Sequence, residues 1–314
     1  DNNLINYCDI NGNATASNII YSNGTGTGAT ATANSNNMIS NSLIRDQFSN
    51  SVATNGILLE NGNTDWTITG NSFYQTASRT FTTAATHTAI SIAHNTHNGA
   101  IITNNIIGGG NSSAGGSAWT INGSVANRFV GISITASTTA TSSIQGNTIS
   151  NFNFSTTSGS TSSGGPWCGI LVSAGKVNIG NINGNIIGSS TGVNSIILNL
   201  ATNSGGISSG IFIAAIASDF NVSNNIIGSI TITGTSVSIA HGFNGINTAA
   251  TGSVSISNNL IGSNTSLNSI NISNACTNTT GTLPYLNGIY NTGNSNSLVI
   301  TNNTISNLNN AFVP

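Results

Sequence analysis

Gly210-Ile211-Phe212-Ile213, followed by Phe220-Asn221-Val222-Ser223-Asn224-Asn225-Ile226-Ile227, is the stretch whose reading decides the fold. Phe220 and Val222 alternate with polar residues at period two, which marks a strand with one face turned inward. The Asn225-x-Ile227 element that follows is not unique. It recurs at Asn3, Asn37, Asn71, Asn105, Asn147, Asn185, Asn259 and Asn303, at intervals of 34 to 44 residues. Two positions beyond each Asn the residue is apolar: Ile everywhere except Phe73.

A second element, Gly or Ala followed by Ile, alternates with the first at Ile57, Ile90, Ile132, Ile170, Ile211, Ile246 and Ile289. From each of these to the next motif Asn takes 13 to 15 residues, whereas the return segment varies from 19 to 30. Constant length belongs to structure and variable length to connections. Motifs that repeat once per coil call for stacked parallel strands, each Ile about 4.8 Å above its predecessor. Nine Asn motifs then span an axis of roughly 38 Å. Helix is disfavoured, because Gly, Asn, Ser and Thr interrupt every window and no apolar face recurs at the helical period. The expected fold is all-β: a right-handed parallel β-helix of about eight to nine coils, with residues 1–314 forming a single domain and long loops on one side.

Asn suits the bend between strands because it tolerates left-handed backbone angles and its amide can bond the Asn of the next coil. An internal ladder is therefore expected through Asn37, Asn71, Asn105, Asn147, Asn185, Asn225, Asn259 and Asn303. The alternative is a set of surface turn residues with no ladder.

With these residues in view, Gly-Ile-x-h followed by h-x-h-x-x-Asn-x-Ile (h, apolar) resembles the parallel β-helix repeat of pectate-lyase-like proteins and of many secreted surface proteins. The clearest matches run from Gly210-Ile211 to Ile227 and from Gly288-Ile289 to Ile305. The likeness covers nearly the whole chain and implies a right-handed helix with three strands per coil. The family's usual coil is shorter, so the additional residues here imply loops or added strands, Ser195–Leu200 among them. The Gly/Ser/Thr/Asn-rich style also resembles surface proteins exported by the type IX system of Bacteroidota. Because Asp1-Asn2-Asn3-Leu4-Ile5 opens inside a motif, the chain reads as an excerpt of a longer protein.

Composition narrows the function. Charged residues make up 3% of the chain, against roughly 25% in an ordinary domain. A net charge of −2, with four scattered basic residues, offers nothing to a phosphate backbone. Nucleic acid is excluded as a partner. No apolar run approaches the roughly 20 residues that cross a bilayer, so no membrane insertion is expected, and the opening DNNLINYCDI lacks the features of a signal peptide.

Family members that cleave polysaccharides carry clustered acids, with calcium and a basic residue in lyases or paired carboxylates in hydrolases. Here Asp65 and Asp219 occupy equivalent places four rungs apart, about 19 Å, whereas a hydrolase pair needs roughly 5 to 9.5 Å. A turn role fits both. Glu60, Asp65 and Asp46, converging with Arg45 or Arg79, form the best catalytic candidate, set against solvated turn charges. His94 and His97, with His87 nearby, are the metal candidates, set against exposed turn histidines; no cofactor is expected, and calcium is the one ion the resemblance admits. Cys8, Cys168 and Cys276 are expected to be unpaired. Cys168 and Cys276 fall about 14 Å apart on the rung count, beyond the roughly 7 Å a disulfide spans.

Trp119, Trp167 and Tyr285, with Phe129, Phe152 and Phe154, lie in or beside the variable segments. They offer either a stacking surface for sugars or packing of loops onto the helix. The expectation is thus a non-catalytic extracellular or bacterial cell-surface module, adhesive in role, that displays polar loops to a polysaccharide or another cell. Adjoining domains and an export machinery would be its other partners. Polysaccharide cleavage is the alternative. Ice binding is disfavoured, since Thr67-Ile68-Thr69 and Thr231-Ile232-Thr233 do not share a register.

Overall fold

The computed structural model describes residues 1–24, 33–201, 205–236, 241–273, 275–276 and 284–311. Every ladder between its strands is parallel; four long sheets follow one another around the coils, the third starting at Arg79–Thr80, and Asn34–Ser35 with Asn63–Thr64 and Thr235–Ser236 with Ala275–Cys276 form two further two-stranded ladders. One coil shows the plan. Val177–Ile179 lies in sheet 1, Ile186–Gly188 in sheet 2, Ile196–Leu200 in sheet 3 and Ile207–Ile213 in sheet 4; Phe220–Ser223 then returns to sheet 1. The sheets contain 9, 9, 7 and 8 strands respectively, each strand bonded to its equivalents in the coils above and below. Among the described residues there is no α-helix, and no helix long and apolar enough to cross a membrane. The chain is a right-handed parallel β-helix.

The stacking is that of the sequence motifs. Ile107 pairs with Ile149 and Ile149 with Ile187 in sheet 2, while Ile132, Ile170 and Ile211 stack in sheet 4. All six are fully buried, and each contributes about 1.5–3 kcal/mol by leaving water. The return segment departs from the three strands per coil that the resemblance implies. Its alternating residues, such as Ile196-x-Leu198-x-Leu200, build sheet 3 as a fourth wall, so the additional length per coil widens the core.

The two motifs are halves of one packing unit. In sheet 4 the register passes over Gly131, Gly169, Gly210 and Gly245. A Cβ there would lie 2.5–2.7 Å from the carbonyl oxygen of the next coil and 2.6–2.9 Å from an Ile of sheet 2: Ile149, Ile187, Ile227 or Ile261 in turn. Glycine precedes the sheet 4 Ile because the Asn-x-Ile side chain already fills that space.

Candidate functional site

The Asn ladder runs along the corner between sheets 1 and 2. Each Asn sends its backbone N–H and one amide N–H to the Oδ1 of the Asn one coil further on. Asn105 reaches Asn147 at 3.0 and 3.0 Å, Asn147 reaches Asn185 at 3.0 and 2.9 Å, and the pattern continues from Asn71 through to Asn303. The second amide hydrogen goes to a strand carbonyl, as in Asn147 Nδ2 to Ile102 O at 2.9 Å. A buried polar column satisfied in this way holds each coil to the next.

Asn37 does not belong to this column. It accepts from Asn3 at 2.9 Å one strand earlier, because Ile39 lies in sheet 1 whereas Phe73 lies in sheet 2. The ladder continues downward instead through Ser42, whose N–H donates to Asn71 Oδ1 at 3.0 Å, and Cys8, whose N–H donates to Ser42 Oγ at 3.1 Å. The coil between Ser42 and Asn71 is only 29 residues long. The spacing from Asn37 to Asn71 matches the repeat without sharing its register.

Of the acidic candidates, Asp46 meets both arginines and the others go elsewhere. Its buried carboxylate accepts from Gln75 Nε2 (3.0 Å), Thr76 N (3.0 Å) and Thr76 Oγ1 (2.8 Å), and lies 3.4 Å from Arg45 and 3.5 Å from Arg79. Arg45 in turn holds Asp9 in a fork, Nε at 2.7 Å and Nη2 at 3.1 Å, which keeps the Asp9 carboxyl below its ordinary range. Asp9, Arg45, Asp46 and Arg79 form a chain of alternating charge across the first coils. Glu60 accepts from Tyr21 Oη at 2.7 Å, and Asp65 accepts from Thr64 Oγ1 at 2.8 Å. Neither joins Asp46. Asp65 does occupy a left-handed turn position, with φ 55°. Asp219 caps the next coil, accepting from Ser253 N at 3.1 Å. A cavity of about 300 Å³ opens beside the cluster, lined by Ala14, Asn50, Ser78, Arg79 and Thr80.

The histidines do not converge on an ion. His94 Nδ1 bonds Thr96 Oγ1 at 2.8 Å, while the His97 ring is fully buried with neither nitrogen partnered among the described residues. Burial pushes His97 down to about 4 and His87 down to about 3, so both rings are neutral at pH 7. Among the described residues no group of three or more His, Cys, Asp or Glu is placed to hold a metal. Cys8 and Cys168 are free thiols. The side chain of Cys276 lies outside the described residues.

The aromatic candidates divide. Trp119, in sheet 3, and Trp167, at the start of a sheet 4 strand, are fully buried and unavailable to a ligand. Trp119 stacks on Phe152 with centroids 5.2 Å apart, and Phe129 lies between Phe152 (4.8 Å) and Trp167 (6.1 Å). Large rings fill the wide corner between sheets 3 and 4, where burial outweighs display. Tyr285 is different: it is 54% exposed. With Ile207, Asn244, Asn287 and Tyr290 it lines a cavity of about 150 Å³ on the outer face of sheet 4. Asn287 Nδ2 donates to Asn244 Oδ1 at 2.8 Å across the rung. Tyr290 follows Ile289 directly and therefore points outward, a placement that period two makes readable; Asn244 and Asn287 become neighbours only through strand register.

No family model, no curated protein and no solved structure matches the chain. Fold and ladder therefore define the class of the protein: a parallel β-helix solenoid with a buried asparagine column.

Proposed function

We propose that the chain is a non-catalytic extracellular surface module, a rigid solenoid that presents uncharged side chains to glycans or cell-surface components. The observation that carries this reading is the Asp46 carboxylate, the one candidate acid that meets a basic partner. Its oxygens are occupied by Gln75, Thr76, Arg45 and Arg79, a structural brace and not a group free to move a proton. The outer face of sheet 4 carries Ser209, Asn244 and Asn287 in one row and Asn247 and Tyr290 in the next. Secretion through a type IX system, a Bacteroidota source and a pectate-lyase-like ancestry are supported by repeat style and composition alone. A glycan array together with adhesion to immobilised polysaccharide tests the reading: specific retention without turnover supports it, and product release from a polysaccharide overturns it.

A second reading, cleavage of an extracellular polysaccharide, has one feature in its favour. The 300 Å³ cavity reaches Arg79, which touches Asp46. Turnover of acidic or neutral glycans, with and without calcium, that disappears in Asp46→Asn and Arg79→Lys would establish it.

A further inference from the structure

We propose that the cavity at Tyr285 and Tyr290 is a subsite for a single neutral pyranose ring, an inference that rests on the glycan-binding reading above. The site is built by the repeat. In sheet 4 the outward positions form two parallel rows: Ser209, Asn244 and Asn287 in one, Phe212, Asn247 and Tyr290 in the other. Register places successive members about 4.8 Å apart, within reach of adjacent hydroxyls on one sugar. Ile207, Gly242 and Tyr285 follow one another at the start of the same strands. Gly242 has no side chain, and a Cβ on it would lie 3.2 Å from the Tyr285 Cβ. Its absence leaves the gap between Ile207 and Tyr285 that becomes the cavity.

The chemistry selects the ligand. Two tyrosines, 54% and 42% exposed, supply ring faces and hydroxyls. A pyranose has an apolar face of C–H groups that packs on an aromatic ring and an equatorial rim of hydroxyls that bonds amides. Asn287 and Asn244 are already aligned by their 2.8 Å bond, so the amide edge is preorganised. None of the lining residues is charged, so a uronate carboxylate would lose hydration with no cation to receive it. A cavity of about 150 Å³ has room for about five waters, which one sugar ring would displace.

The test is titration of the full 314-residue chain with methyl β-D-glucopyranoside, cellohexaose and trigalacturonate, read by tyrosine fluorescence and calorimetry. The expected result is saturable binding of the neutral sugars, with dissociation constants of about 1 mM. It should weaken by about tenfold or more in Tyr290→Ala and in Asn287→Ala, while thermal unfolding stays within a few degrees of the parent. Trigalacturonate should bind more weakly than cellohexaose at any salt concentration. Neutral sugars that do not bind at tens of millimolar, or that bind both variants as they bind the parent, would overturn the subsite. If both variants still adhere to polysaccharide as the parent does, the surface-module reading survives and the pocket assignment fails. If adhesion is absent in the parent as well, both fail.

Discussion

Gly169 and Ile187 share one space: a Cβ on the glycine would sit 2.9 Å from Ile187 Cδ1 and 2.6 Å from the carbonyl oxygen of Gly210. The contact joins sheet 4 to sheet 2 across the interior and ties the two halves of the repeat together. Because Gly131, Gly210 and Gly245 make the same contact with their own Ile partners, the core is a stack of identical locks.

Gly169→Ala should therefore destabilise the protein by about 1–3 kcal/mol through overpacking against backbone that cannot yield. Urea denaturation measures it. Gly192→Ala is the comparison, since nothing lies within 4 Å of a Cβ there, although its φ of 74° adds its own strain. A larger loss at position 169 than at 192 is the expected order.

Asn147→Ala removes the middle of the ladder. It strips the acceptor from the N–H and amide of Asn105 and the amide donor from Ile102 O, while Asn185 Oδ1 keeps the Asn147 backbone N–H. At about 1–3 kcal/mol for each buried group left unpaired, the loss should reach several kcal/mol. Asn37→Ala, by contrast, removes an acceptor only from Asn3, whose own groups are exposed and can turn to water, and should cost no more than about 1.5 kcal/mol. Equal losses at the two sites would place Asn37 in the ladder after all.

Acid should weaken the fold before it titrates most carboxylates. His87, His97 and His241 are buried and lowered from 6.5 to about 3, about 4 and about 4, each chiefly by desolvation. Below pH 6.5 the unfolded chain takes up protons that the folded chain refuses, so stability is complete above that pH and declines towards pH 4. Each site contributes about 1.4 kcal/mol per pH unit, and the three together roughly 4 kcal/mol per unit. Denaturation midpoints at pH 7.5, 5.5 and 4.5 would show the decline, and His87→Phe should shallow it by about a third.

The two described free thiols should separate cleanly by reactivity. Cys8 is exposed, whereas burial pushes the Cys168 thiol up to about 12. Ellman's reagent at pH 8 should titrate Cys8 within minutes. Cys168 should react only once urea unfolds sheet 4, and a variant carrying both Cys8→Ser and Cys276→Ser isolates that phase.

Much of the architecture was legible before any coordinates. Apolar residues recurring at one motif position can be buried together only if successive copies stack, so Ile107, Ile149 and Ile187 are expected to form a column, and the recurring Asn at the bend between strands is expected to form a ladder. These are local, periodic facts, repeated often enough to outweigh any single ambiguous segment. Tertiary structure alone decided what depends on counting residues around a coil. The return segment adds a fourth strand that buries Trp119 against Phe129 and Phe152, one short coil moves Asn37 off the ladder, and register brings Asn244, Asn287 and Tyr290 to one cavity while keeping Glu60 and Asp65 away from Asp46. Periodicity states which residues face inward; which outward residues become neighbours is set by coil length and cross-section, and no short motif encodes either.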